Sequence, residues 1–134
     1  MTFSRTPIIV GTGSTLGHAD APLMSDAVRW GDLLLLSGRA AVDPGTGAIR
    51  APDFDTQCRI VLDDALEVLA AAGSSPEQVL RVECWLASRE HFAAWNDHWA
   101  RAFPPPRPAR TTLVADFAVA GLLVEVQLTA GVLG

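Results

Sequence analysis

The chain has 134 residues, 49% of them hydrophobic, and a net charge of −5, which suits one folded domain over residues 1–134 whose core needs no disulfide or metal staple. Such a balance excludes a disordered chain. Acidity and ten scattered basic residues also count against non-specific nucleic-acid binding, which needs Lys and Arg in clusters.

Up to about Pro22 the chain carries Gly11, Gly13 and Gly17 and reads as a loop or weak strand. Ala27 to Trp30 and Leu33 to Ser37 are apolar runs split by Gly31-Asp32, the pattern of a β-hairpin. Asp43-Pro44-Gly45-Thr46-Gly47 is a turn, because Pro and Gly supply the backbone angles that turns require. From Pro52 the period changes. Phe54, Cys58, Val61, Leu62, Ala65, Leu69 and Ala72 recur every three or four residues, with charged positions between them. This is an amphipathic helix that Gly73 closes in the C′ position.

Ser75-Pro76-Glu77 has the form of a cap with proline in the first turn. Leu80 to Leu86 alternates as a strand with one buried face should. Ser88 can cap a second helix with the apolar stripe Phe92, Trp95, Trp99 and Phe103, which must stop by Pro104-Pro105-Pro106. A stiff extended segment runs to Pro108. Two strands close the chain, Thr111 to Ala115 and Leu122 to Thr129, and the connection between them is short enough for a hairpin. The order predicts an α+β fold, one mixed sheet with both helices on one face. Leu33, Leu35, Val124 and Val126 alternate with residues that are also largely apolar, so the second sheet face needs a cover, expected to be a partner subunit.

Cys58 and Cys84 are too few and too isolated for a disulfide framework or a zinc site, and both are expected as buried thiols. The start, MTFSRTPIIV, lacks the apolar core and cleavage site of a signal peptide. No apolar run approaches the roughly 20 residues of a membrane span. A cytoplasmic location, with no membrane or nucleic-acid partner, is the expectation.

Four stretches, in order and over nearly the whole chain, carry a resemblance. They are Ser25-Asp26-Ala27-Val28-Arg29-Trp30-Gly31-Asp32 through Ser37-Gly38 with Asp43 to Gly47; Val68 to Ser75; Phe92-Ala93-Ala94-Trp95-Asn96; and Pro108-Ala109-Arg110-Thr111-Thr112 with Val124-Glu125-Val126 behind it. Jointly these resemble the Rid family, also called YjgF or L-PSP endoribonuclease proteins. The resemblance implies a chorismate-mutase-like protomer and a homotrimer with a site at each subunit interface. The implied reaction hydrolyses reactive 2-enamino or 2-imino acids to a 2-keto acid and ammonia, without cofactor or metal.

Taken as residues, Arg110 follows stiff backbone and offers a planar fork of paired donors suited to a carboxylate; the alternative is a surface arginine paired with an acid. Glu125 lies between two valines, where an ionised carboxylate is costly unless paired or raised in pKa; the alternative is a solvent-facing glutamate on an edge strand. The resemblance gives Arg110 the substrate carboxylate and Glu125 the attacking water. It also places Ser37 and Gly38 at the pocket, Ser37 as a hydrogen-bond donor, and the backbone around Thr112 at the substrate. Asn96 is expected to make a structural bond to backbone.

Two positions depart from the family pattern. Met24 stands where a pocket tyrosine is common, and a thioether cannot supply the phenolic hydrogen bond. Arg39 stands where Gln is usual. A second guanidinium there either admits a dicarboxylate or pairs with a surface acid, and the pairing is preferred. Both changes bear on which substrate is taken. A non-catalytic trimer that binds small carboxylates, for regulation, is the alternative function.

Other signals are set aside. Gly11-Thr12-Gly13-Ser14-Thr15-Leu16-Gly17 has its third glycine one place late for a dinucleotide loop and opens no helix. His18, His91 and His98 share no metal-binding spacing, and His91 and His98 read as solvated helix surface. A ribonuclease would need an aromatic-basic patch or a histidine acid-base pair, and neither is legible.

Overall fold

A computed structural model describes residues 2–18 and 20–133. Strand β1 (Thr6–Ile8) pairs with β2 (Ala27–Trp30), which turns through Gly31 into β3 (Leu33–Leu36). Gly31 has φ 60°, an angle that a Cβ would disfavour. Two residues later comes β4 (Arg39–Ala40), then helix α1 (Phe54–Ala71). Asp53 caps α1 by accepting from the Thr56 backbone at 2.9 Å and the Thr56 hydroxyl at 2.7 Å. Gly73, at φ 80°, ends it as the sequence predicts. Ser75-Pro76-Glu77 opens only a single 3₁₀ turn, because the chain enters β5 (Val79–Leu86) directly. Ser88 caps another such turn, which leads into α2 (Phe92–Ala102).

The last strands, β6 (Ala109–Val114) and β7 (Val124–Gly131), correct the hairpin expected of them. The sheet order is β1-β2-β3-β7-β5-β6, so β5 lies between them. Strand β6 runs parallel to β5, a pairing that requires a crossover, supplied by α2. The connection then passes the end of β5: Ala115 N–H donates to Leu86 C=O and Ala87 N–H to Leu123 C=O. A short link between two strands does not make a hairpin when the end of a third strand is docked across it.

Both helices cover one face, as the pattern predicts. Cys58, Val61 and Leu69 of α1 and Trp95 of α2 pack on Leu34, Val82, Val124, Val126 and Leu128. Cys58 and Cys84 are buried, and desolvation pushes their thiols up to about 12 and about 11. On the open face Leu35 is 48% and Leu113 55% exposed. No helix among the described residues is long and apolar enough to cross a membrane.

Two buried polar residues brace this frame, one joining the helices and one holding loop backbone. His98, expected as helix surface, is buried. Its Nε2 lies 2.7 Å from Asp55 Oδ1 and its Nδ1 3.3 Å from Arg101 Nη2. Arginine can only donate, so Nδ1 accepts and Nε2–H donates to Asp55. His91 stacks on Phe54 with 4.2 Å between ring centres. Gln57 is fully buried within α1; its amide donates to Ala51 C=O (2.9 Å) and Gly121 C=O (3.0 Å) and accepts from Leu123 N–H (2.9 Å). It therefore fixes the turn that delivers β7. Gln57→Ala leaves three backbone groups without these partners, so a stability loss of about 3 kcal/mol is expected. Urea unfolding at fixed protein concentration measures it.

Candidate functional site

Strands β3 and β4 lie along the same edge of β7, with Leu35 opposite Thr129 and Arg39 opposite Val126. Four steps from Leu35 to Arg39 thus match three on β7, which puts one extra residue, a bulge, at Ser37-Gly38. Bulges re-aim side chains and end regular pairing. Here the bulge makes room. A Cβ on Gly38 would lie 2.7 Å from Glu125 Oε2, so the carboxylate occupies the space that a side chain would take.

Glu125 is on an interior strand, flanked by Ala40 of β4 and Trp85 of β5, and this corrects the edge-strand alternative. It alternates with buried Val124 and Val126 and so points to the open face. Among the described residues no cation lies within 4.0 Å of it. Burial alone pushes its carboxyl above the ordinary value. A desolvated carboxylate of that kind is a stronger base than one in water.

Glu125 lines a cleft of about 890 Å³ together with Met24, Asp26, Gly38, Arg39 and the loop that holds Gly11 and Gly13. The glycine-rich stretch therefore belongs to the cleft wall. Arg39 Nη1 lies 3.0 Å from Asp26 Oδ1. The acid is 3% exposed, so the pairing expected of Arg39 exists but with a buried carboxylate, not a surface one. The other Asp26 oxygen accepts from Val10 N–H at 2.8 Å. Ser37 donates its hydroxyl proton to Ser25 C=O at 2.6 Å, so within this chain its donor is already engaged and its oxygen is left as an acceptor.

Arg110 and Thr112 lie elsewhere. Arg110 pairs in register with Val82 and Thr112 with Cys84, both buried under the helices, so these two side chains share the helix-covered side of edge strand β6. The Arg110 guanidinium carbon is 5.1 Å from the Trp99 ring centre and 5.8 Å from that of Phe92. Two aromatic faces attract the cation and limit its swing. Phe92, expected in the core, is 47% exposed because its ring forms the outer wall of this cage. Among the described residues no carboxylate lies within 4.0 Å of Arg110, which removes the surface ion-pair alternative. Beneath it, Thr112 Oγ1 and Trp95 Nε1 both lie near enough to Cys84 to favour its thiolate, yet neither forms a hydrogen bond of ordinary geometry.

One chain thus lines a single cleft with Met24, Gly38, Arg39 and Glu125, although Arg39, opposite buried Val126, leaves the sheet on the other face from Glu125; it sets Ser37 in the adjoining bulge, and puts Arg110 and Thr112 on the side of the sheet away from Glu125. Asp26 and the Phe92–Trp99 cage are absent from the residues picked out by sequence. A charge beside a strand start and an aromatic stripe on the second helix were the available signals. No side-chain bond to backbone involves Asn96 among the described residues, contrary to expectation. Nor do three His, Cys, Asp or Glu side chains among them converge to hold a metal ion.

Comparison with known proteins agrees with this architecture. The family model described as Endoribonuclease L-PSP matches residues 18–132. A RutC family protein of Pyrococcus horikoshii is 32% identical over 106 residues, 79% of this chain and 84% of that one. The chloroplastic Reactive Intermediate Deaminase A of Arabidopsis thaliana is 33% identical over 88 residues, 66% of this chain and 47% of that one. A Yersinia pestis structure, titled as a protein of unknown function in the conserved Rid family, superposes with a TM-score of 0.82 at 25% identity, covering 96% and 100% of the two chains. A match over most of the chain, on the same two helices and mixed sheet, means that the protein belongs to the Rid/YjgF family.

Proposed function

We propose that the protein hydrolyses reactive 2-imino or 2-enamino acids to a 2-keto acid and ammonia, at clefts formed between the protomers of a homotrimer. The observation that carries this reading is the separation of Arg110 from Glu125. Neither has an ionic partner among the described residues, and they face opposite sides of one sheet. A head-to-tail contact would bring the Arg110 of one protomer to the Glu125 cleft of the next, and three such contacts close a ring. The exposed Leu35 and Leu113 on the open face support burial there. A relative named for reactive-intermediate deamination supports the chemistry.

In this mechanism Arg110 grips the substrate carboxylate, with the fork aimed by its two aromatic neighbours. Glu125 holds a water against the iminium carbon and takes its proton as the C–O bond forms. The resulting carbinolamine receives that proton on nitrogen; as the C–N bond breaks, Glu125 takes the hydroxyl proton and passes it to the departing ammonia, which leaves the keto acid and ammonium. The carbon is already electrophilic, so orientation supplies most of what is needed. Thr112 and the unpaired outer edge of β6 would meet the substrate beside Arg110. Ser37, its proton held by Ser25, would accept a bond from the water or the imine nitrogen.

The test generates an imino acid in situ with an amino-acid oxidase and follows its decay. Arg110→Ala is expected to lower kcat/KM by about 100-fold, mainly through KM, and wild-type behaviour would overturn the site. Glu125→Gln is expected to lower kcat by about 10²–10⁴. The base must be ionised to work and its carboxyl is raised, so the wild-type rate should fall with decreasing pH through a value above 4.5, and Glu125→Gln should lack that limb. Stability has the opposite sign: a raised folded pKa means that stability declines as pH rises through it. Glu125→Gln should therefore be no less stable than wild type at pH 7. Saturable keto-acid binding without acceleration would identify a carboxylate-binding protein instead. Gly38→Ala should keep the fold yet lose about tenfold or more in rate, because its methyl displaces the base; an unchanged rate would sever Gly38 from Glu125.

A further inference from the structure

His91 and His98 are separated by about two helical turns along α2, so their side chains share one line on the helix. Phe92 and Trp99 each follow a histidine directly and share a second line, about 100° further round. The first line meets α1. His91 stacks on the Phe54 ring, with 4.2 Å between centres and planes 3° apart, and His98 meets the same ring edge-on at 6.4 Å. His98 also donates to Asp55 at 2.7 Å, and Arg101 donates to its other nitrogen at 3.3 Å, which decides which nitrogen carries the proton. Phe54 and Asp55 belong to the first turn of α1, whose start Asp53 caps. The second line meets Arg110, with Trp99 at 5.1 Å and Phe92 at 5.8 Å. One helix therefore joins the start of α1 to the guanidinium, with a histidine beside each ring.

We propose that His91 and His98 are positioning residues for the carboxylate grip: through Phe54 and Asp55 they fix the turn of α2 about its axis, and so hold Phe92 and Trp99 at the Arg110 guanidinium. This rests on Arg110 holding the substrate carboxylate. Trp95 seats the middle of α2 in the core. Apolar burial has no direction of its own, whereas hydrogen bonds and ring pairs do. A side-chain ring lies about 5–6 Å from the helix axis, so a rotation of about 10° shifts it by about 1 Å. Cation–π attraction fades beyond about 6 Å, and Phe92 already stands at 5.8 Å. Without the two histidines α2 would keep its place on the sheet but lose the rotation that aims the arginine.

The experiment measures kcat and KM for imine decay, with calorimetric binding of the matching keto acid, well below the melting temperature of each variant. H98L removes both hydrogen bonds and should raise KM about tenfold and weaken keto-acid binding equally, with kcat and its acid limb unchanged. H98Q keeps a donor for Asp55 and an acceptor for Arg101 and should retain the wild-type KM. H91L, which removes the stack, and F92L, which removes the outer ring of the cage, should each raise KM about threefold. In the F92L protein H98L should cost less than in wild type, because part of what the histidine positions is gone. Asp55 is largely exposed, so D55A leaves no buried charge and replaces H98L in every arm should H98L not fold. An unchanged KM in H98L, whatever its stability, or effects of H98L and F92L that multiply in full, would overturn the positioning role while leaving the site in place. No hydrolysis and no keto-acid binding by wild type would overturn the reading of the site itself.

Discussion

A carboxylate on the open face of a sheet, half-buried and with no cation within 4.0 Å among the described residues, costs free energy that a purely structural residue would not retain. Glu125 is tolerated because Gly38 leaves it space and because the bulge at Ser37-Gly38 lets β3 and β4 share one edge of β7 without a side chain striking the carboxyl group. Every other feature of the cleft is arranged around that accommodation. Gln57 fixes the turn that sets the start of β7, and Asp26 ties the loop at Val10 and the arginine after Gly38 to the same sheet edge.

The opposed orientation of Arg110 extends the argument beyond one chain. Parallel pairing of β6 with β5 places Arg110 over Val82, under the rings of Phe92 and Trp99, while antiparallel pairing of β7 with β5 places Glu125 beside Trp85 on the other face. No rotamer carries either side chain through the sheet. If these two groups act on one substrate, they do so from different copies. The edge position of β6 and the apolar open face are the features that such an association would cover.

Where structure followed from local chemistry, the sequence was readable. The hairpin at Gly31, the period of α1 with its glycine stop, the alternation of β5 and the proline stop after α2 each depend on neighbours within a few residues, and each stands where it was expected. Strand β7 was misassigned to a hairpin with β6 because its partners, β3 and β5, are chosen by the closing of the whole sheet. The site divides the same way. Arg110 and Glu125 were legible from residue type and from resemblance. The Asp26–Arg39 pair spans 13 residues and depends on the loop at Val10, and the cage over Arg110 depends on how α2 lies on β6. His98 read as surface because helical period does not reveal that the face meets Asp55.

The decisive measurement is complementation between two inactive variants. Arg110→Ala and Glu125→Gln proteins are unfolded together, refolded as a mixture, and assayed for imine hydrolysis beside each variant refolded alone. If each site takes its arginine from one protomer and its glutamate from the next, about a quarter of the sites in a random mixture carry both native groups, and activity returns in that proportion. A mixture as inactive as its components, with mixed oligomers shown to form, would contradict a site divided between copies.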